Sequence, residues 1–409
     1  MNHVTANAAQ IFLQLAIILI ACKACGLLIK YFGQPPVIGE MVAGILLGPS
    51  LMGAIAPHFA HTVFSQETRP TLYSIAQIGL TLYMFVVGLE FRSDLLVRNL
   101  RTAAGVSVAG ILAPFALGAL LAWWFLRMGG FFAQTTPLSM AVLFTGAAMS
   151  ITAFPMLARI ILENGLSDTR AGTISLAAGS LDDAAAWILL AGVLGGISGK
   201  PILFLAALGG GIFYALLCMM VIRPLLSRLN AVWNDDVGML GLITLLLCLG
   251  GWFTDTIGLY SVFGAFVLGL SIPRGALAKK TAERIGPITT ALFLPVFFTY
   301  SGLNTKIGLL NSGVLWGICG LIILAAVAGK LLACYAASRL SGESHRDSLT
   351  IATLMNARGL MELILLNIGF QAGLITQTLF TMFVLMAVVT TLMAAPGFNA
   401  AKRLGASNC

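Results

Sequence analysis

Two adjacent carboxylates, Asp182 and Asp183, stand near the middle of an apolar run from about Ala171 to Leu194, in the stretch Gly179-Ser180-Leu181-Asp182-Asp183-Ala184-Ala185-Ala186-Trp187. At about 1.5 Å per residue the run is long enough to cross a bilayer as a helix. An ionised Asp near the bilayer centre costs roughly 2.5–3.5 kcal/mol on insertion scales, so a neighbouring pair is expensive. The small residues around the pair let a backbone or an ion approach. Acids in that setting point to handling of cations or protons, with a structural pair capped by an arginine or by helix ends as the plainer alternative.

Other polar residues lie in equally apolar surroundings. Lys330, in Ala328-Gly329-Lys330-Leu331-Leu332, needs a counter-charge, which an ion pair with Asp182 would supply; snorkelling toward the surface near Arg339 is the other solution. In Ser150-Ile151-Thr152-Ala153-Phe154-Pro155 the proline cannot donate to the Ile151 carbonyl and clashes with it, so the helix is predicted to break there or at least to kink. Met355-Asn356-Ala357-Arg358-Gly359 places Asn, Arg and Gly inside another apolar run and predicts a second unwound stretch. Two broken helices crossing beside the acids would offer carbonyl oxygens to a cation and half-helix dipoles to balance it. Arg358 and Glu362, spaced i, i+4, would face each other on a helix, as a structural pair or as modulators of the crossing. Glu40 and Glu90 fall near span ends, and Lys23 suits a snorkelling role. His3, His58, His61 and His345 fall outside the spans, so neither a metal centre nor a histidine relay is expected.

The elements that must position these residues follow from composition. A chain of 409 residues, 59% hydrophobic, 9% charged and with a mean hydropathy of +0.97, is not a soluble globular protein. Apolar runs separated by Gly, Pro and charges give about thirteen spans, near 9–30, 36–50, 71–90, 102–125, 138–160, 171–194, 201–225, 237–254, 257–272, 287–303, 313–337, 348–370 and 375–395. The expected fold is an all-α polytopic membrane protein, a single membrane transport domain over 1–409 with no soluble regulatory domain and only the connection 56–70 large enough for structure of its own. The first run is too long for a signal h-region and lacks a cleavage site, so it stays as a span. The net charge of +8 comes from scattered residues and forms no nucleic-acid patch. Alternate connections carry 16 Lys and Arg against four, which puts the amino terminus outside and the carboxyl terminus in the cytoplasm. Six of the seven cysteines sit in apolar runs as small hydrophobes, and no disulfide framework follows.

A faint internal repeat sets the architecture. Ile38-Gly39-Glu40-Met41-Val42-Ala43-Gly44 matches Phe263-Gly264-Ala265-Phe266-Val267-Leu268-Gly269; Val87-Gly88-Leu89-Glu90, followed by Leu95-Leu96, matches Ser301-Gly302-Leu303-Asn304, followed by Leu309-Leu310; and Ala148-Met149-Ser150 matches Leu354-Met355-Asn356. Each partner lies seven spans on. An odd separation inverts the topology, so residues 36–194 and 257–395 are expected to form the two inverted repeats of a secondary transporter, with the site at mid-membrane.

The chain resembles the membrane domain of monovalent cation/proton antiporters of the bacterial sodium/proton exchanger superfamily, especially the branch of plant and fungal cation/H+ exchangers and bacterial potassium-efflux systems. The segments that carry the likeness are Gln34 to Pro49, Met84 to Glu90, Ser150 to Arg159, Asp182 to Trp187 and Met355 to Glu362. The resemblance implies a thirteen-helix fold with two crossing discontinuous helices, a six-helix core that moves against a dimerisation domain, a homodimer and a bacterial inner-membrane location. It also implies that Asp183 binds the cation or the proton, that Asp182 pairs with Lys330, and that Thr152 sits at the crossing. The double acid resembles electrogenic sodium/proton members; the efflux systems have Gln before the Asp and a nucleotide-binding domain after the last helix, whereas this sequence ends at Cys409, so gating of that kind is not expected.

The expected function is exchange of Na+ or K+ for protons across the bilayer by alternating access, with Asp183 and Asp182 as the cation site and Ile151, Ser150, Asn356, Arg358 and Glu362 as crossing residues. No cofactor beyond the transported ions is expected. Proton-driven export of an organic solute on the same fold is an alternative. An intramembrane aspartyl protease is a remote one, because it needs its two acids on different helices, and a sensor would need a signalling domain.

Overall fold

Runs of apolar residues leave buried backbone groups only one another as partners, and helices are the result. The computed structural model describes residues 3–32, 34, 36–90, 100–166, 169–197, 201–232 and 235–404. The helices are α1 (His3–Tyr31), α2 (Pro36–Leu47), α3 (Met52–Ile55), α4 (Pro57–Val63), α5 (Arg69–Glu90), α6 (Leu100–Met128), α7 (Leu138–Ser150), α8 (Phe154–Glu163), α9 (Arg170–Ile197), α10 (Pro201–Leu217), α11 (Arg223–Val232), α12 (Asp236–Thr256), α13 (Ser261–Ser271), α14 (Ala276–Ile288), α15 (Leu294–Leu303), α16 (Gly313–Leu340), α17 (His345–Met355), α18 (Leu360–Gln371) and α19 (Gln377–Leu404). One isolated bridge, Phe132 to Ile375, is the extended pairing present among the described residues.

Ten helical stretches are long and apolar enough to span a membrane, and three shorter apolar helices, Leu138–Ser150, Ser261–Ser271 and Met361–Gln371, fall in the remaining expected spans. Two of those three are short because the chain unwinds next to them. Helix α7 stops at Ser150 and α8 starts at Phe154; α17 stops at Met355 and α18 starts at Leu360. Pro155 falls in the first turn of α8, where its missing N–H costs nothing, so the chain ends one helix and begins another there instead of kinking. The connection at 56–70 holds the short α4. Pro35, Arg92, Leu95, Leu96, Arg98, Lys200 and Cys409 lie outside the described residues.

The chain divides into two compact units. One comprises Met1–Ala21, Ala56–Phe91 and Leu194–Tyr300. Its core joins Phe85 and Leu89 of α5, Ile243 and Leu247 of α12, and Ala265 and Leu268 of α13. Two backbones approach closely at Gly88 and Gly269, where a methyl group on Gly88 would fall on the Phe266 carbonyl and one on Gly269 on the Phe85 carbonyl, each 3.0 Å from the other glycine's Cα. The second unit comprises Cys22–Ile55, Arg92–Val193 and Ser301–Cys409. Here Gly302 lies against the backbone of Gly44, and Ser50 Oγ donates to the Thr305 carbonyl (2.7 Å) and accepts from Ile307 N–H (3.0 Å), pinning that approach from the side.

These approaches make a stability prediction. Gly302→Ala must push α2 aside and is expected to cost about 2–4 kcal/mol, as overpacking against backbone does. Gly317→Ala, in the second turn of α16 with nothing within 4 Å of the new methyl, is expected to be neutral or to stabilise by up to about 1 kcal/mol. Thermal unfolding of the purified proteins in detergent separates the two; equal midpoints would contradict the packing.

Candidate functional site

Every residue singled out for chemistry lies in the second unit. Helix α7 runs out of backbone partners at Ile151, whose N–H donates to the Ala147 carbonyl (3.2 Å). The next stretch crosses the unwound 356–359 segment, and the Ala153 N–H donates to the Ala357 carbonyl (3.1 Å). A helix that ends leaves its last carbonyls without N–H partners and its end partly negative. In α7 these are the carbonyls of Ala148, Met149 and Ser150, and two cations take them. Arg358 Nη1 donates to Ala148 O (2.8 Å), Arg358 Nη2 to Met149 O, and Lys330 Nζ to Ser150 O (2.5 Å). Arg358 is itself anchored through its backbone: its N–H donates to Thr391 Oγ1 (3.2 Å), and its carbonyl lies 2.8 Å from that hydroxyl, sharing its one hydrogen with Ala387 O (2.7 Å).

Lys330 is 1% exposed, so its ammonium stays inside and does not snorkel. Its second partner is Asp182 Oδ2 at 3.0 Å. Thr152 Oγ1 lies 2.6 Å from that same oxygen and 3.1 Å from Met355 O, and its single hydrogen serves the shorter contact. Ser107 Oγ, from α6, donates to Asp182 Oδ1 at 2.6 Å. Both oxygens of Asp182 are therefore taken, by one cation and two hydroxyls.

Asp183 is different. Its side chain is equally buried, at 1% exposure, and neither carboxylate oxygen has a hydrogen-bond partner among the described residues. Asn356 Oδ1, in the second unwound stretch, is also buried without one. Adjacent residues on a helix point about 100° apart, which explains how one acid of the pair is saturated while its neighbour is bare. Ser150 Oγ turns back to Gly146 O (2.7 Å) and toward Ile111 O of α6 (2.9 Å). Glu362 approaches Arg358 at 3.6 Å, too far for a hydrogen bond, because the guanidinium is committed to the α7 carbonyls.

The structure thus brings Ser150, Ile151, Thr152, Asp182, Lys330, Asn356 and Arg358 to one crossing. Two participants carry no sequence signal strong enough to find them. Ser107 is one of two hydroxyl residues in α6, and Thr391 is one of several threonines in α19.

Comparison with known proteins follows the same lines. A family model described as the transmembrane sodium/hydrogen exchanger matches residues 15–400. This chain belongs to the sodium/hydrogen exchanger family. It is therefore one of the monovalent cation/proton antiporters, a multi-pass membrane transporter and not an enzyme. The Na(+)/H(+) antiporter NhaS4 of Synechocystis is 38% identical over 392 residues, covering 94% of this exchanger and 95% of that protein. Cation/H(+) antiporter 20 of Arabidopsis thaliana is 36% identical and K(+)/H(+) antiporter 1 of Saccharomyces cerevisiae 32%. The exchanger spans about half the length of each of these two, 48% and 45%. The solved structure of the sodium proton antiporter MjNhaP1 from Methanocaldococcus jannaschii matches 97% of this chain and 98% of that one, with a TM-score of 0.68 at 17% identity, which establishes the fold. Neither organic-solute export nor proteolysis gains support from these likenesses.

Proposed function

We propose that the protein exchanges Na+ or K+ for protons by competition at Asp183, with the site open to one side of the membrane at a time. The observation that carries this reading is the contrast inside the acid pair. Asp182 has every oxygen engaged, by Lys330, Thr152 and Ser107, so its charge is already balanced. Asp183, buried, has no hydrogen-bond donor among the described residues to balance its charge. A carboxylate in that state must take up a proton or a cation, because an uncompensated buried charge is costly. The two occupants exclude each other, and that exclusion couples their movements. In this reading Thr152 and the carbonyls of the unwound stretches supply oxygens that replace a cation's water.

Two equivalent inverted halves, 36–194 and 257–395, fit the packing. Gly88 and Gly302 occupy matching places in the repeat, as do Gly269 and Gly44, and the close approaches pair Gly88 with Gly269 and Gly302 with Gly44. The likeness to antiporters named for Na+ and for K+ supports a monovalent cation as cargo. A homodimer in the bacterial inner membrane, with the carboxyl terminus in the cytoplasm, completes the proposal.

The test is flux in proteoliposomes. With a pH gradient imposed and membrane potential monitored, addition of Na+, K+ or Li+ in turn is expected to dissipate the gradient for at least one cation. A gradient indifferent to all three would reject cation exchange and return organic solutes to consideration.

A further inference from the structure

We infer that Ser107 is a positioning residue for the cation site, holding Asp182 in its ion pair so that Asp183 alone exchanges its occupant. The inference rests on the proposed role of Asp183 and goes beyond it, to a helix that the acid pair, the lysine and the two unwound stretches do not include.

One face of α6 forms a wall of the site. Ser107, Gly110 and Ile111 are spaced i, i+3, i+4 and so share a face. Ser107 is 3% exposed and donates to Asp182 Oδ1 at 2.6 Å, a charge-assisted contact. A methyl group built on Gly110 would stand 2.7 Å from Cys334 Sγ, so the bare glycine leaves room for that sulfur, and at 3.6 Å from Lys330 Cε and 3.7 Å from Lys330 Nζ it would be in ordinary contact with the end of the lysine. Ser150 Oγ lies 2.9 Å from the Ile111 carbonyl as well as 2.7 Å from Gly146 O, so its one hydrogen is shared between α6 and its own helix α7. That face of α6 thus lies beside Asp182, Lys330 and Ser150, and its one direct hydrogen bond to the ion pair is the one from Ser107.

The hydroxyl has a particular task within that wall. Lys330 and Thr152 both act on Oδ2, so Ser107 is the group that holds Oδ1. Without it, Asp182 keeps its lysine but gains a free oxygen and freedom to turn about its side chain. That oxygen can then take a proton or share the cation, and two acids would compete where one did. Ser107 acts through Asp182 in this scheme and touches no cargo.

The experiment compares Ser107→Ala with Ser107→Thr, which restores a hydroxyl, in proteoliposomes, reading the apparent KM for the cation, the maximal flux and the pH profile, with folded protein quantified by size exclusion. Ser107→Ala is expected to raise the KM about tenfold and to displace the pH profile toward alkaline values, and Ser107→Thr to return both most of the way. A purely structural serine would lower the yield of folded protein while leaving KM and pH profile of the folded fraction in place, and that result overturns the inference. So does a Thr variant displaced as far as the Ala variant, since the hydroxyl is then not what matters. Asp183→Asn run alongside separates the two readings: exchange surviving in it rejects the role of Asp183, whereas an inactive Asp183→Asn with an unaltered Ser107→Ala rejects the role of Ser107 alone.

Discussion

Asp183→Asn is expected to lose cation-dependent proton movement, by roughly a hundredfold or more, with the fold intact. The amide has nearly the shape of the carboxylate but can neither release a proton nor neutralise a cation, so both legs of the exchange fail together. Stability should behave in the opposite way. Neither Asp183 oxygen receives a hydrogen bond from the described residues, so the substitution breaks none of these, and it removes an acid whose charge is tolerated there only with a proton or a cation bound. The thermal midpoint of the variant is therefore expected at or above that of the parent. A third quantity ties the two together: a cation that binds the folded protein at 100 times its Kd raises stability by about 2.7 kcal/mol, and that increment should vanish in the variant. Flux and thermal unfolding, each with and without the cation, measure all three. Exchange persisting at more than a tenth of the parent rate would remove Asp183 from the mechanism.

How far the sequence reveals this site depends on whether a residue's neighbours in space are its neighbours in the chain. Breaks in the two helices are legible because their causes are local: Pro155 in one run, and Asn356, Arg358 and Gly359 together in the other. The acids and Lys330 are legible because charges stand out against an apolar background. The partners of Arg358 are not. Spacing i, i+4 points to Glu362, and that ion pair is present at 3.6 Å, but Arg358 precedes the first residue of α18 and the hydrogen bonds of its planar fork go to two carbonyls some 210 positions away. Ser107 illustrates the same limit, since a hydroxyl in an apolar helix most often bonds to its own backbone and nothing local says otherwise. Nor does the sequence tell which of two neighbouring acids is saturated, because that depends on how α9 is turned toward α6 and α16. Among the expected spans, those of 138–160 and 348–370 depart most from simple helices, for the same reason that makes them useful: unwinding exposes carbonyls.

Removing Lys330 tests how the charges are balanced. Lys330→Met leaves Asp182 ionised and buried with only two hydroxyls, and it strips the Ser150 carbonyl of its partner. Breaking a buried pair from one side costs about 3–5 kcal/mol, since the remaining charge is uncompensated. Asp182→Asn alone leaves the ammonium in the complementary position, although the α7 carbonyl end still attracts it, so a smaller loss is expected. The double variant Asp182→Asn, Lys330→Met has no buried charge left over and should recover much of the loss, giving a coupling energy of about 2 kcal/mol or more in a double-mutant cycle. Unfolding midpoints of the four proteins supply that cycle; additivity within about 0.5 kcal/mol would mean that the contact at 3.0 Å carries no energy. Transport should respond differently from stability. In Lys330→Met the ammonium that contacts Asp182 is gone, so the pH profile of flux should be displaced from the parent's. The double variant, stable again but lacking the carboxylate, should not regain the parent's pH profile, because stability needs only that charges be matched, whereas coupling needs Asp182 itself held still beside Asp183.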